Sequence, residues 1–405
     1  MTQDQKDAPT RDPQVQLLGR DLLAWFDRHR RDLPWRRTKD PYCIWVSEVM
    51  LQQTRVEVVV SYYERFLERF PTVADLARAP LEEVLALWSG LGYYRRARQL
   101  HAAAVHIVAA GGFPRTVERL RELPGVGAYT AAAVASIAFG VAVPVLDGNV
   151  ERVMARRLAL AEDPKRGAAR ARLLAAAAAL LDPARPGDSN QALMELGATL
   201  CLPQRPRCLL CPLRPGCAAA SEGRTELYPQ PRRRRPSESR RLLVALVTAE
   251  ADPDRVLLFR RPSEEGLLAG TWELPWLEML EVEDGEATPP VRSLAAKYGG
   301  DWRLGPPLAA VRHGITYRDL RVTICRAQLL PAAADAAGEV RESSGRCGWF
   351  DAAERSSLPM SSLVGKVLRA CAAADRRGRR VRRGRRVRRG VSGFRASRSP
   401  SRRPG

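Results

Sequence analysis

The segment Cys201-Leu202-Pro203-Gln204-Arg205-Pro206-Arg207-Cys208-Leu209-Leu210-Cys211-Pro212-Leu213-Arg214-Pro215-Gly216-Cys217 sets four cysteines between prolines. Proline has no backbone donor and a fixed φ, so neither a long helix nor a central strand accepts this segment, and it reads as one irregular loop. Four thiols on one loop can wrap a metal centre. Their order, Cys-x6-Cys-x2-Cys-x5-Cys, has a single short spacing. Structural zinc usually pairs two short spacings, so zinc and an iron-sulfur cluster both stay open on spacing alone. The remaining cysteines, Cys43, Cys325, Cys347 and Cys371, are scattered, which argues against a disulfide framework.

Upstream of the loop, from Val15 to about Ala220, apolar residues recur at helical spacing, as in Leu18, Leu22, Trp25 and Phe26. Breaks fall at Pro34, Pro71, Pro80, Gly111-Gly112 and Pro124. Downstream, Tyr228-Pro229-Gln230-Pro231 and the arginines after it suit an interdomain linker, because the prolines lack donors and the charges repel. Beyond it the pattern turns β-rich, at Arg241–Thr248, Arg255–Phe259, Leu308–Arg312 and Leu320–Ala327, with helices expected at Val291–Tyr298 and Ser362–Ala372. The expected division is a disordered N-terminus at 1–14, a helical domain at 15–228 holding the loop 201–217, a linker at 229–239, an α+β domain at 240–372 and a disordered Arg-rich tail at 373–405.

At 405 residues, two or three domains are expected. The formal charge is +21, yet Arg376–Gly405 carries fourteen arginines and no acid, leaving +7 for the rest. A basic body favours a polyanionic partner, and an arginine tail adds salt-sensitive attraction to phosphate, which makes nucleic acid the leading partner class. A solvated extension without a role fits those Arg-Arg repeats as well. Met1–Pro13 lacks the apolar core of a secretion signal, and Leu173–Leu181, the longest aliphatic run, is too short to span a bilayer. A soluble cytoplasmic monomer with no membrane contact is expected.

Leu123-Pro124-Gly125-Val126-Gly127 precedes the helical Ala128–Ala138. Gly125 and Gly127 would open that helix with exposed amides, able to hold one phosphate through N–H groups and the helix dipole; an ordinary helix connection has the same look. Asp147, in Val145-Leu146-Asp147-Gly148-Asn149-Val150, reads as an N-cap whose helix amides keep the carboxylate ionised. Glu48 sits among apolar residues in Trp45-Val46-Ser47-Glu48-Val49-Met50-Leu51-Gln52-Gln53-Thr54, where desolvation raises a carboxyl pKa. A lone glutamate more often occupies a solvated helix face. Two carboxyls in opposite environments are what glycoside cleavage uses: one protonates the leaving group, the other answers the cationic sugar.

Ser47–Thr54, Gly90-Leu91-Gly92-Tyr93-Tyr94, Leu123–Thr130, Leu146–Val150 and the cysteine loop occur here in one order. Together they resemble the MutY family of DNA glycosylases, whose cysteine loop, shared with endonuclease III, holds a 4Fe-4S cluster. The resemblance covers nearly all of residues 15–230. It implies a mainly α helix-hairpin-helix DNA glycosylase domain of two helical lobes, with Cys201, Cys208, Cys211 and Cys217 on the cluster and Arg205, Arg207 and Arg214 facing a phosphate backbone. It further implies that Glu48 protonates N7 of adenine and that Asp147 stabilises or traps the sugar cation, with Asn149, Tyr129 and Arg36 in support. Gln53 and Tyr93 would fill the disturbed base stack. In endonuclease III the position of Tyr129 is a Schiff-base lysine; a phenol forms no imine, so a glycosylase without lyase chemistry is implied.

Residues 240–372 resemble the small MutT-like (Nudix) domain of the same family, in Leu257-Leu258-Phe259-Arg260-Arg261-Pro262 and Gly270-Thr271-Trp272-Glu273-Leu274-Pro275. They lack the carboxylate cluster that holds a divalent metal for pyrophosphate hydrolysis, so this domain should bind and not hydrolyse. The family's lesion-reading loop commonly runs His-x-Phe-Ser-His, where this chain has His313-Gly314-Ile315-Thr316-Tyr317. His313 and Thr316 are the candidates for reading 8-oxoguanine. The implied function is base excision repair on double-stranded DNA, removing adenine mispaired with 8-oxoguanine or guanine, at the bacterial nucleoid. The alternatives are an endonuclease III-like pyrimidine glycosylase and a catalytically silent DNA-binding iron-sulfur protein.

Overall fold

The computed structural model describes residues 12–164, 166–230, 236–262, 268–279, 290–330 and 347–392, with 378–392 as backbone alone. The chain divides between Arg234 and Arg235 into two units, inside the expected linker. Unit one is helical, as the apolar spacing predicts. Its helices are α1 (Pro13–His29), α2 (Pro41–Leu51), α3 (Val56–Arg69), α4 (Val73–Arg78), α5 (Leu81–Leu87), α6 (Arg95–Ala109), α7 (Val117–Arg121), α8 (Ala128–Phe139), α9 (Gly148–Arg157), α10 (Gly167–Ala179), α11 (Pro186–Thr199) and α12 (Ala218–Ser221). The breakers act where expected. Pro34 opens a 3-10 turn, α3 stops short of Pro71, Pro80 starts α5, and α6 ends before Gly111-Gly112, both at positive φ.

Helices α2 and α8 pack on each other, and α6 and α3 lie against α2. In a second group α1 and α9 pack on α11, which also touches α8, and α10 lies against α9 and α1. These are the two lobes. α8 is rich in alanine, and Thr130–Ile137 are all buried, so its thin surface lets two neighbours approach closely. Asn190 on α11 ties the lobes: its Nδ2 donates to Ser136 Oγ at 2.9 Å and Val143 O at 2.8 Å, and its Oδ1 accepts from Val145 N at 3.0 Å. That amide pins the extended Val143–Val145, which delivers Asp147 to the start of α9. A buried polar group with every partner met specifies one arrangement.

Unit two pairs β1 (Glu238–Val247), β2 (Val256–Arg260), β3 (Trp272–Glu273), β4 (Trp276–Glu278), β5 (Asp301–Ile315), β6 (Arg318–Leu330) and β7 (Cys347–Phe350) with α13 (Pro290–Tyr298), α14 (Ala352–Ser356) and α15 (Ser362–Ser392). One sheet has the order β4-β1-β6-β5, with β1 and β6 parallel; the other is β3-β2-β7. Strand alternation sorts the core onto two faces. Leu242, Val244 and Leu246 meet Val364 and Val367 of α15, while Ala245 and Val247 join Leu294 of α13 and Trp302.

β5 begins at Asp301, well before the expected strand at Leu308, and takes in Pro306 and Pro307 at a register shift. A bulge tolerates the prolines' missing donors. α15 continues past Ala372, where the folded domain was expected to end, and Asp375 accepts from Arg326 at 2.5 Å. The helical reading stopped at the apolar residues, but arginine is itself a good helix former. The remainder of the expected tail, 393–405, and Met1–Arg11 lie outside the described residues. No helix among the described residues is long and apolar enough to cross a membrane.

The lobe contact can be tested at Gly187, where a Cβ would stand 2.7 Å from Ile137 Cα and from Ser136 O. Both neighbours are backbone, so Gly187→Ala should destabilise by ~1–3 kcal/mol in spite of better helix propensity. Gly167→Ala, which meets open space, is the control. Melting curves should show a lower Tm for the first variant alone.

Candidate active site

α2 is buried on nearly every side, from Ile44 to Met50. Glu48 therefore lies inside the protein at 5% exposure, and not on a solvated face. Tyr129, one residue into α8, stands with its hydroxyl 2.5 Å from Glu48 Oε2 and 3.3 Å from Met194 Sδ. Burial lifts the Glu48 carboxyl to about 7, with Asp147 adding to the rise and the Tyr129 hydroxyl and Arg36 opposing it. Burial also pushes the Tyr129 phenol far above its usual range, so it stays protonated.

Asp147 caps α9 as its sequence context predicts. Oδ1 accepts from Asn149 N at 3.0 Å and Val150 N at 2.7 Å, and Oδ2 accepts from Asn149 Nδ2 at 3.0 Å. Burial lifts the carboxyl above its ordinary value, and these hydrogen bonds pull it back down. Asn149 is held in turn by Arg152, whose Nη2 donates to Asn149 Oδ1 at 3.0 Å and Gly197 O at 2.7 Å, while its Nε donates to Cys201 O at 2.7 Å.

Glu48, Tyr129, Asp147, Asn149, Arg36, Gln53, Gly125 and Gly127 all line one cavity of about 750 Å³. Sequence reasoning missed Glu195, which lines it too. Desolvation opposes its charge, but hydrogen bonds from Arg31 Nε and Arg36 Nη2, each at 2.8 Å, bring its carboxyl down to about 2. Arg36 is thus engaged by Glu195 rather than lying free beside the other carboxyls. The separation of about 160 residues left no local signal for this pair. At the turn, Val126 N donates to Leu123 O, and Gly125 takes φ 75° where a Cβ would stand 2.6 Å from Gln99 Cβ, so glycine is required there. Gly127 is the N-cap of α8, carries no side-chain cap, and faces open space.

Tyr93 stands apart from the cavity lining, 47% exposed, and both it and Gln53 have positive φ. Cys201, Cys208, Cys211 and Cys217 line a second, small cavity of about 30 Å³ with Val153, Leu200 and Leu213. Burial, reinforced by the other three sulfurs, lifts the Cys211 thiol to about 12. Arg156 Nη1 donates to Cys201 Sγ at 3.3 Å, and Arg205, Arg207 and Arg214 are exposed on the loop. In unit two, Thr316 sits at the tip of the β5–β6 hairpin with φ 56°, a strained conformation for a β-branched residue. Ile315 packs on the core, and burial followed by Lys366 lowers the His313 pKa.

Residues 46–177 match the HhH-GPD superfamily of base excision DNA repair proteins, and residues 244–370 match the NUDIX domain family. The first match spans the helices that bear Glu48, Tyr129 and Asp147, which sets the class: a helix-hairpin-helix protein of base excision repair. An adenine DNA glycosylase of Schizosaccharomyces pombe is 36% identical over 325 residues, covering 65% of this chain and 70% of the relative. The Homo sapiens adenine DNA glycosylase is 42% identical over 307 residues, covering 63% of this chain and 56% of the relative. That of Mycolicibacterium smegmatis is 48% identical over 197 residues, covering 48% and 66%. The chain belongs to the adenine DNA glycosylase family. It spans a little over half the length of the human relative.

The Glu48 carboxyl gives a pH signature independent of activity. Its folded pKa of about 7 lies above the ordinary 4.5, so its contribution is fully present below pH 4.5 and is lost as pH rises through 7. The loss is on the order of 3 kcal/mol across that window. In Glu48→Gln, which keeps the shape and cannot ionise, Tm should fall less between pH 4.5 and pH 8 than in the parent. Parallel pH profiles for the two proteins would refute the raised pKa.

Proposed function

We propose that this chain is a monofunctional DNA glycosylase of base excision repair, which extrudes adenine mispaired with 8-oxoguanine or guanine and hydrolyses its glycosidic bond. The observation that carries the proposal is the burial of Glu48 in the wall of the cavity that Asp147 also lines, which keeps a proton on Glu48 near neutral pH even against the Tyr129 hydroxyl 2.5 Å away. The relatives' name, adenine DNA glycosylase, supports the choice of base over the pyrimidine alternative.

Glu48 gives its proton to N7 of the flipped adenine as the bond between the base and the sugar C1′ breaks, so the electron pair leaves on a neutral base. The Asp147 carboxylate stabilises the cationic sugar, and the Asn149 amide at 3.0 Å keeps it aimed. Water then adds to C1′ and its proton goes to a carboxylate. Arg36, fixed by Glu195, lowers the cost of a charged Glu48 once the proton has left. With Tyr129 in place of an amine, no imine forms and the strand stays intact until alkali is added.

The open N-terminus of α8 beyond Gly125 and Gly127 suits one backbone phosphate, and Gln53 and Tyr93 suit entry into the base stack. In unit two, the Thr316 hydroxyl and His313 suit the edge of the oxidised guanine. Among the described residues no three His, Cys, Asp or Glu groups converge as a single-ion site. Cys201, Cys208, Cys211 and Cys217 line one small space, which supports a shared metal centre, and their order along the loop, which resembles that of the MutY family, favours a 4Fe-4S cluster over zinc. Such a cluster, when bound, makes the thiolates cheap and fixes the loop that presents Arg205, Arg207 and Arg214.

Single-turnover excision on an adenine:8-oxoguanine duplex tests the assignment. Glu48→Gln and Asp147→Asn should each slow it by about a hundredfold to ten-thousandfold while duplex binding survives. Asp147→Asn should keep its Tm, since asparagine also caps a helix. Near-normal excision by either variant removes that residue from the mechanism. The metal reading is tested by colour and composition: the purified protein should be straw-brown, with about four iron atoms per chain. Colourless protein with stoichiometric zinc would overturn it.

A further inference from the structure

Gln53 and Tyr93 belong to segments 40 residues apart, yet each is a non-glycine residue at positive φ, 56° and 50°. Between them, at the start of α6, lies Arg96, 8% exposed. Its Nη1 donates to Val49 O and Met50 O, each at 2.9 Å, and to Gln52 O at 2.5 Å. Its Nη2 donates to Thr54 Oγ1 at 3.2 Å, Leu91 O at 3.3 Å and Gly92 O at 3.2 Å. These acceptors flank Gln53 on both sides and lead into Tyr93. All are neutral oxygens, and burial lowers the guanidinium pKa to about 10.

The guanidinium also lies 5.4 Å from the centre of the Tyr93 ring and 5.4 Å from that of Trp88, whose Nε1 donates to Gly92 O at 3.1 Å. An ordinary surface cap satisfies one or two carbonyls at a helix end. Here one planar cation joins the end of α2 to the 90–94 turn, in contact with both strained segments. A fork of fixed geometry transmits the position of one segment to the other, which a flexible ammonium cannot do.

We propose that Arg96 is a positioning residue that locks Gln53 and Tyr93 into one rigid wedge, so that the two enter the duplex together when the base is extruded. This rests on the wedge reading of those residues given above. The test uses the full chain and an adenine:8-oxoguanine duplex carrying 2-aminopurine beside the target adenine. Binding by the parent should raise the fluorescence as the neighbouring base unstacks.

Arg96→Lys should cut that rise and slow single-turnover excision by about tenfold. The pH at which excision falls should stay at the parental value, because Glu48 is untouched. Adding Arg96→Lys to the Gln53→Ala/Tyr93→Ala pair should cause no further loss, since all act through one device. Parental fluorescence and rate in Arg96→Lys, or full additivity with the pair, would overturn the proposal. If Arg96→Lys does not fold, Thr54→Val, which removes one acceptor, decides: a partial fluorescence loss supports the lock, and a parental response overturns it. Absence of adenine excision by the parent would instead sink the proposed function, and the fluorescence would still report the wedge.

Discussion

A carboxyl enclosed on every side cannot ionise as it does in water, and the arrangement of unit one follows from keeping one so enclosed. Glu48 is buried because α2 is covered on nearly all its faces, and α2 is covered because the alanine-rich α8 packs against it. The same contact brings the Tyr129 hydroxyl to the carboxyl. Packing, proton affinity and geometry are therefore one constraint seen from three sides. A looser α2–α8 contact would admit water and lower the carboxyl pKa together.

The second carboxyl is placed by a relay of polar groups and not by apolar packing. Asp147 rests on α9 amides, Asn149 on Arg152, and Arg152 on carbonyls of Gly197 and Cys201. Every member has a partner, which is the condition under which a buried polar network specifies a structure instead of weakening it. Glu195 does the same for Arg31 and Arg36. The cavity is thus walled by helices whose apolar sides set the depth, and fitted with charges whose positions come from contacts across the lobes.

Much of this was legible in the chain itself. Helical spacing with proline and glycine breaks located unit one's helices, because those effects are local. Glu48, Asp147 and the four cysteines stood out because their neighbours are chemically informative. Asn190, Glu195, Arg152 and Arg96 did not, since each acts on groups brought near only by folding. The rise of the Asp147 carboxyl above its ordinary value was hidden for a related reason: cap donors are visible in sequence, and the degree of burial is not. β5 ran past its expected start because a register shift accommodates the prolines that argued against a strand there.

Asn190 shows what such hidden positions mean for the tolerance of the chain to change. Its amide uses one acceptor and two donors at fixed places in a site that is fully buried. Aspartate has no donor, glutamine is longer by a methylene, and leucine leaves the Val145 amide and the Val143 carbonyl unmet. A residue that lines no part of the cavity is accordingly among the least replaceable. Substitutions there would act through the amount of folded protein in the cell, and any molecule that folded would lack a tie on the segment that brings Asp147 to the start of α9.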